Sequence, residues 1–215
     1  MNPLHLVLAL GPVAIYLFVL SGILFGRHPT VVSGARDSLA LALACLGFVA
    51  LGPLRLFMPE QSAYLGSWVW LPLVALYGLG ALLVVMLLRP RLVIYNVAAE
   101  PLRPLLDNVA REMDADRRWA GSTLVLPNLG VQLTLESWTS MRNVQLVSAG
   151  PEQNLEGWRS LEKALRRELA PLAVGPSPRA LSCLFFALLL VAVMGFSVAI
   201  QPQELASGID QLLEP

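Results

Sequence analysis

The sequence has few charged residues. Lys, Arg, Asp and Glu make up 14% of its 215 positions, whereas hydrophobic residues make up 56%. Water-soluble globular chains contain about 25% charged and roughly 45–50% apolar residues. The shortage of charge therefore excludes an ordinary water-soluble protein, because the apolar excess has to face a medium other than water.

The chain also lacks an excess of charge of either sign. Fifteen Lys and Arg residues balance fifteen Asp and Glu residues, and residues 89–179 contain twelve basic against ten acidic side chains. Binding to nucleic acid requires a concentrated basic surface. A net charge of about +2 is too small to provide one, so we expect no nucleic-acid partner.

Histidine and cysteine are equally scarce, with two of each. His5, Cys45 and Cys183 fall in apolar stretches, His28 follows the first of these, and residues 89–179 contain neither residue type. This excludes from that segment a cysteine nucleophile, a histidine-dependent triad and the usual zinc ligands. Glycine-rich phosphate-binding motifs are missing too. The sequence therefore predicts no catalytic residue, no cofactor and no metal site.

Asp114 and Asp116 are the only carboxylates whose spacing suggests a divalent cation. A pair at this spacing is a weak signal, and Arg117 and Arg118 follow it directly. Neighbouring charges of opposite sign are typical of a solvated surface. We therefore interpret the pair as the solvated end of a helix, with a cation site as the alternative.

Long apolar stretches are what the sequence has instead. A bilayer core about 30 Å thick needs around 20 consecutive, mostly apolar residues in a helix. Four stretches meet this requirement, at residues 4–25, 38–58, 68–88 and 180–200. We predict a transmembrane helix in each. The first has no basic residues before it, unlike a cleaved signal peptide, so we expect it to be retained.

The basic residues lie on one side of these predicted helices. Arg27 and Arg36 are in the first loop, twelve more lie in residues 89–179, and only Arg55 falls elsewhere. Lys and Arg are held on the cytoplasmic side of membranes. The pattern thus predicts an integral protein of the cell (plasma or inner) membrane, with residues 89–179 cytoplasmic and both termini outside. Residues 201–215 are then an external acidic tail.

Residues 89–179 have the patterns of a folded α+β domain. Alternating apolar residues and β-formers predict four strands, at residues 92–95, 122–126, 131–136 and 143–148. Apolar residues at spacings of three and four predict helices near residues 102–113 and 155–169. Strands that alternate in this way have one buried face, and two amphipathic helices can cover it.

The predicted fold is an α-helical membrane protein with four transmembrane helices and an inserted cytoplasmic α+β domain. The domain has the order β-α-β-β-β-α in two layers and lies between helices 3 and 4. The predicted organisation is helices 1–3 in residues 1–88, the domain in 89–179, helix 4 in 180–200 and the tail in 201–215.

Two groups of residues are candidates for contact with other molecules. The segment 137–142 joins two predicted strands and carries Trp138, Met141 and Arg142. Exposed large apolar groups often mark a contact with protein or lipid, and the alternative is that Trp138 folds back on the sheet. The second group consists of the juxtamembrane basic residues Arg89, Arg91 and Arg179. Each could gain about 1 kcal/mol from anionic lipid near the surface, or could simply set the topology.

The leading functional hypothesis is a non-catalytic scaffold, assembly or regulatory subunit that acts through its α+β domain. Its expected partners are the lipid bilayer, another membrane or cytoplasmic protein, and a second copy of the chain. A small transporter or channel subunit is the first alternative, although the predicted helices contain no Asp, Glu or Lys to line a path. The third hypothesis is an interfacial membrane enzyme that uses Asp114 and Asp116.

Overall fold

The structure is a computed structural model, and it describes residues 3–52, 70–138, 143–151 and 153–203. The chain divides into two compact units. We call them the helical unit, which is Met1–Leu20, Leu39–Met86 and Ser182–Pro215, and the sheet unit, which is Ser21–Ser38 and Leu87–Leu181. The sheet unit therefore contains the predicted domain and the whole loop between the first two predicted membrane helices.

Six helices and six strands are found in the described residues. In chain order they are α1 (Pro3–Phe25), β1 (Thr30–Ser33), α2 (Gly34–Leu51), α3 (Trp70–Leu87), β2 (Arg91–Tyr95), α4 (Ala99–Met113), β3 (Arg118–Ala120), β4 (Thr123–Leu126), β5 (Val131–Trp138), β6 (Asn143–Ser148), α5 (Leu155–Leu169) and α6 (Pro178–Ile200).

Three helices are long and apolar enough to cross a membrane. They are α1, α2 and α6, and α3 is a shorter apolar helix over Leu71–Leu87. Large apolar side chains are exposed along them, such as Ile15 at 66% and Phe196 at 69%. Helices that are apolar on all sides belong in lipid or in a large core, so these indicate membrane association. The three long helices fall at the first, second and fourth predicted spans, and residues 53–69 lie outside the described chain.

Helix α2 of the helical unit contacts both α1 and α3. Gly47 of α2 packs against the backbone of α1 at Leu8 and Ala9, where an added Cβ would collide. The Tyr77 hydroxyl of α3 donates a hydrogen bond of 2.7 Å to the Ala42 carbonyl of α2. Small residues at such crossings let backbones come into contact, which is a common way for membrane helices to associate.

The sheet unit is built on one antiparallel sheet with strand order β1-β2-β6-β5-β4-β3. The predicted hairpin is present, because β4 and β5 pair from Leu126↔Val131 onward. Its turn closes with the Gly130 amide donating to the Pro127 carbonyl at 3.2 Å. Gly130 has φ of 60°, a left-handed conformation that glycine adopts without strain.

The structure corrects the predicted β-α-β-β-β-α order by adding two strands. One is β3, whose three residues follow the two aspartates and are too few to show an alternating pattern. The other is β1, which lies in the first loop and pairs with β2 from Thr30↔Tyr95 to Ser33↔Leu92. A four-residue strand far from its partner in sequence carries no local signal of that pairing.

The core of the sheet unit lies between one face of the sheet and the two amphipathic helices. Helix α4 buries Leu102, Leu106, Val109 and Ala110, and α5 buries Gly157, Trp158, Leu161, Leu165 and Leu169. The strand residues that face these helices include Ile94, Leu124, Leu133 and Leu146, which are all fully buried. Full burial of a leucine or isoleucine side chain contributes about 1.5–3 kcal/mol, so these residues account for much of the stability of the unit.

Replacing Gly157 with alanine is expected to destabilise the sheet unit, because a Cβ at this position would collide with the Leu129 carbonyl and lie 2.8 Å from Val131 Cγ2. We expect the free energy of unfolding to fall by about 1–3 kcal/mol, as for other overpacked sites. Gly175→Ala is the control, since nothing lies within 4 Å of its added Cβ. Equal unfolding midpoints for the two variants in detergent would contradict the close packing of α5 against Leu129 and Val131.

Candidate functional site

The end of α1 and the segment that leads into α6 are hydrogen-bonded to each other inside the sheet unit. The bonds run from Val174 N–H to Arg27 O (2.8 Å), from Ser177 N–H to Leu24 O (3.1 Å) and from Ser21 Oγ–H to Ala180 O (3.1 Å). The exit from the sheet unit is therefore not a free linker, although it contains Gly175 and Pro176.

Asn96 joins the same region to the sheet. It follows β2 directly, is 1% exposed, and has a φ of 65°, a conformation that asparagine tolerates better than most residues. Its Nδ2 donates a 2.7 Å hydrogen bond to the Gly26 carbonyl. His28 Nδ1 lies 3.1 Å from the Leu172 carbonyl, a bond that requires the proton on Nδ1. Both contacts fix the residues that follow α1.

The first turn of α2 is attached to β2 by a polar network. The Tyr95 hydroxyl donates to Asp37 Oδ1 at 2.5 Å, and Arg91 Nη2 donates to Ser38 Oγ at 3.0 Å. Arg91 also lies 3.8 Å from the second oxygen of Asp37. The Arg91 side chain crosses Gly34 so closely that a Cβ there would overlap it. Arg91 thus binds groups of the protein itself, rather than facing outward as a free charge.

Arg89 and Arg179, the other two juxtamembrane candidates, are placed differently. Arg89 follows α3 and is exposed, and Arg179 is the second residue of α6 and is half-buried. Neither has an ion-pair partner within the described part of the chain. Of the three predicted residues, Arg89 therefore presents the most accessible charge.

The sequence predicts a loop at residues 137–142, but residues 137 and 138 belong to strand β5. Strand β5 continues through Trp138, whose backbone pairs with Asn143 of β6. Trp138 is thus the last residue of a strand, and Met141 and Arg142 lie outside the described residues. The backbone pair of residues 138 and 143 lies at one end of the β5–β6 pairing. The sheet has a second face, on the side away from α4 and α5.

That face, which we call the outer face, is formed by alternate residues of four strands. By register it includes Arg118, Thr123, Val125, Gln132, Thr134, Glu136, Gln145 and Val147. Its side chains are half-buried or exposed, and Thr123 and Thr134 share a 3.1 Å hydrogen bond between hydroxyls. A two-layer domain leaves such a face available unless something else packs on it.

A second polar cluster surrounds Asp107 of α4. Arg117 donates to both its oxygens, at 2.9 and 3.2 Å, and Trp119 Nε1 donates at 2.9 Å. These hydrogen bonds, first from Arg117 and then from Trp119, lower the pKa of Asp107 to about 2. Arg103 lies 5.0 Å above the Trp119 ring. Trp119 was not picked out from sequence because β3 shows no pattern, and Arg103 was not picked out because its contact is with Trp119.

The structure corrects the interpretation of Asp114 and Asp116 as a solvated helix end, because Asp114 is only 2% exposed. It accepts hydrogen bonds from the Asp116 amide at 3.0 Å, and from the amide and Nδ2 of Asn128 at 2.8 and 2.7 Å. Burial alone would raise the pKa of Asp114, but these hydrogen bonds to the charged form outweigh it and lower the pKa. Asp114 therefore holds the β4–β5 turn.

Metal binding finds no support in the residues that the structure describes, where no three His, Cys, Asp or Glu side chains are grouped to hold an ion. No family model matches the chain, and neither a curated protein nor a solved structure matches it. The chain is therefore classified by its fold alone. It has long apolar helices and an antiparallel sheet unit, and the sheet unit includes residues from the ends of those helices.

Replacing Asp107 with asparagine tests the cluster on α4 through its pH dependence. Because the folded-state pKa lies below the ordinary value of 3.8, ionised Asp107 stabilises the folded chain above about pH 4. That contribution is lost as the pH falls towards 2. We expect Asp107→Asn to lower the free energy of unfolding at pH 7 by about 1–2 kcal/mol, with the difference from the native chain vanishing near pH 2.

The control for this variant is Glu112→Gln, which removes the same charge from an exposed position of the same helix. Glu112 has no ion-pair partner in the described ranges, so its replacement is expected to leave stability unchanged. Denaturant unfolding of the detergent-solubilised chain at pH 7, 4 and 2 provides the measurement. A difference for Asp107→Asn that stays constant over this range would argue against the assigned pKa.

Proposed function

We propose that the chain is a multi-pass protein of the cell membrane with four transmembrane helices. The sheet unit lies in the cytoplasm, and both termini lie outside. The pairing of β1 with β2 supports this topology, because it requires the first loop and the segment after α3 to be on the same side. That is the arrangement in which Arg27, Arg36 and the basic residues of 89–179 share the cytoplasmic side.

Within that topology, the function is to act as a scaffold or assembly subunit rather than as a catalyst. The observation that carries the proposal is the attachment of the sheet unit to helix ends. The end of α1, the first turn of α2 and the start of α6 are all hydrogen-bonded within it. A unit whose segments are hydrogen-bonded to each other at several points has an ordered surface, which lowers the entropy lost when a partner binds.

The outer face is the surface that we assign to the partner. It offers threonine hydroxyls and glutamine amides together with valine methyl groups. This mixture of polar and apolar groups resembles an ordinary protein–protein interface and suits another protein better than acyl chains. Trp138 is the last residue of β5, a strand that contributes to this face, and Met141 follows it by three positions in the sequence. Large apolar residues of this kind often provide most of the binding energy.

The topology is tested by labelling single cysteines with a maleimide that does not cross membranes. Cys45 and Cys183 are first replaced by serine, and cysteine is introduced at Arg36, Gln61 or Arg159. In intact cells we expect labelling at position 61 alone, and at positions 36 and 159 only after permeabilisation. Labelling of position 159 in intact cells would reverse the topology, and different outcomes at 36 and 159 would contradict their common side.

The partner surface is tested with a photocrosslinking amino acid at Gln145 on the outer face. We expect one protein to be crosslinked at Gln145, and that product to decrease about tenfold in Trp138→Ala/Met141→Ala, as for loss of central interface residues. Position Arg159, exposed on α5, is the matched control and should give no product. Equal products at both positions would refute the assignment, and a product of twice the chain mass would identify a second copy.

A further inference from the structure

A recess lies where the chain enters the sheet unit after α3. It is open on one side and has a volume of about 670 Å³. Its walls come from three places, namely Arg89 and Pro90 before β2, Ser148 at the end of β6, and Pro151 and Leu155 at the start of α5. The amide of Ser148 donates a 3.0 Å hydrogen bond to the Pro90 carbonyl, which holds the first two of these walls together.

Arg89 gives the recess a positive charge that forms no ion pair with any carboxylate in the described ranges. Arg91, Arg117 and Arg166 each pair with a carboxylate, whereas Arg89 is exposed and has no such partner among the residues described. A guanidinium group presents several N–H donors in one plane, which matches the geometry of phosphate oxygens. An anion with that geometry is the natural counterpart of Arg89.

Ser148 adds a second polar group without a partner. The residue is only 4% exposed, and its buried Oγ makes no hydrogen bond in the described structure. Buried hydroxyl groups are normally paired, because an unpaired one has lost its bonds to water. A hydroxyl can also change rotamer about one bond. Ser148 can therefore satisfy its hydroxyl by donating to a ligand oxygen in the recess.

Gln153 also lines the recess, but its amide is already hydrogen-bonded to Gln132, Ala149 and Trp158. The remaining lining is mostly apolar. Leu155 is the first residue of α5 and is 61% exposed, and Pro90 and Pro151 provide further apolar surface. Arg89 stands two residues beyond Leu87, the last residue of α3. In the topology proposed above, this places Arg89 at the depth of the lipid head groups. A ligand for this recess has a phosphate at one end and apolar groups beside it.

We propose that this recess binds the phosphate of an anionic phospholipid head group. The Arg89 guanidinium pairs with the phosphate oxygens, the Ser148 hydroxyl donates to one of them, and Leu155 and Pro151 contact the glycerol and the first carbons of the acyl chains. This assignment rests on the proposed membrane topology but not on the proposed protein partner. It gives the sheet unit a lipid contact separate from its outer face.

The test measures retained lipid on the full chain by native mass spectrometry in mild detergent. The probes are phosphatidylglycerol, phosphatidylcholine and inorganic phosphate, each added at the same concentration. We expect phosphatidylglycerol to bind best and inorganic phosphate to compete weakly. Arg89→Gln should weaken phosphatidylglycerol binding about tenfold, as for loss of one charge-assisted contact. Ser148→Ala should weaken it less, and Arg89→Lys should give an intermediate result because the fork of donors is lost.

Arg159→Gln is the matched control, since it removes the same charge from an exposed position that does not line the recess. It should bind phosphatidylglycerol as the native chain does. Equal losses in Arg89→Gln and Arg159→Gln would overturn the site in favour of general attraction, and unchanged binding in Arg89→Gln would overturn it outright. Full competition by inorganic phosphate would overturn the lipid assignment. The maleimide-labelling experiment, repeated with the Arg89→Gln substitution, shows whether a loss of lipid binding results from a change of topology.

Discussion

The pairing of β1 with β2 is the interaction on which the rest of the sheet unit depends. It brings a four-residue segment of the first loop to the edge of a sheet whose other strands lie more than fifty residues further along the chain. Once Thr30–Ser33 is fixed in that register, the end of α1 precedes it directly and the first turn of α2 follows it. The hydrogen bonds of Asn96 to Gly26 and of Tyr95 to Asp37 depend on this placement.

The arginines of the chain fall into two groups that the overall charge balance conceals. Arg91, Arg117 and Arg166 are paired with carboxylates. The first two pairs connect different segments of the sheet unit, and the third lies within α5. Arg89 and the exposed Arg27 and Arg36 near helix ends carry no such pairing in the part of the chain described. Sequence position alone assigned Arg89 and Arg91 the same juxtamembrane role, and only the structure separates them, because pairing depends on what lies across the fold.

Local patterns were sufficient to predict the features that depend on neighbouring residues. The amphipathic helices α4 and α5 and the β4–β5 hairpin follow from periodicity and from a turn that ends in Gly130, all within short windows. Strand β3 is too short to show a period, and β1 lies far in the sequence from β2, the strand with which it pairs. Asp114 was misjudged because its partner, Asn128, lies beyond two intervening strands. For the candidate site, the sequence identified Arg89 as a juxtamembrane basic residue. The recess beside it could not be inferred, because it combines three segments that are distant in the sequence.

One consequence of the sheet order concerns any attempt to study the predicted domain, residues 89–179, by itself. A fragment of residues 89–179 would keep β2 but lose β1, so the N–H and C=O groups along one side of β2 would be left open. Leu92, Val93 and Ile94 are at most 3% exposed in the whole chain, and Val31 of β1 belongs to the same core. An uncovered, apolar edge strand is a template for association with other chains. The boundary of the foldable unit is therefore not continuous in sequence: it must include the loop between the first two membrane helices.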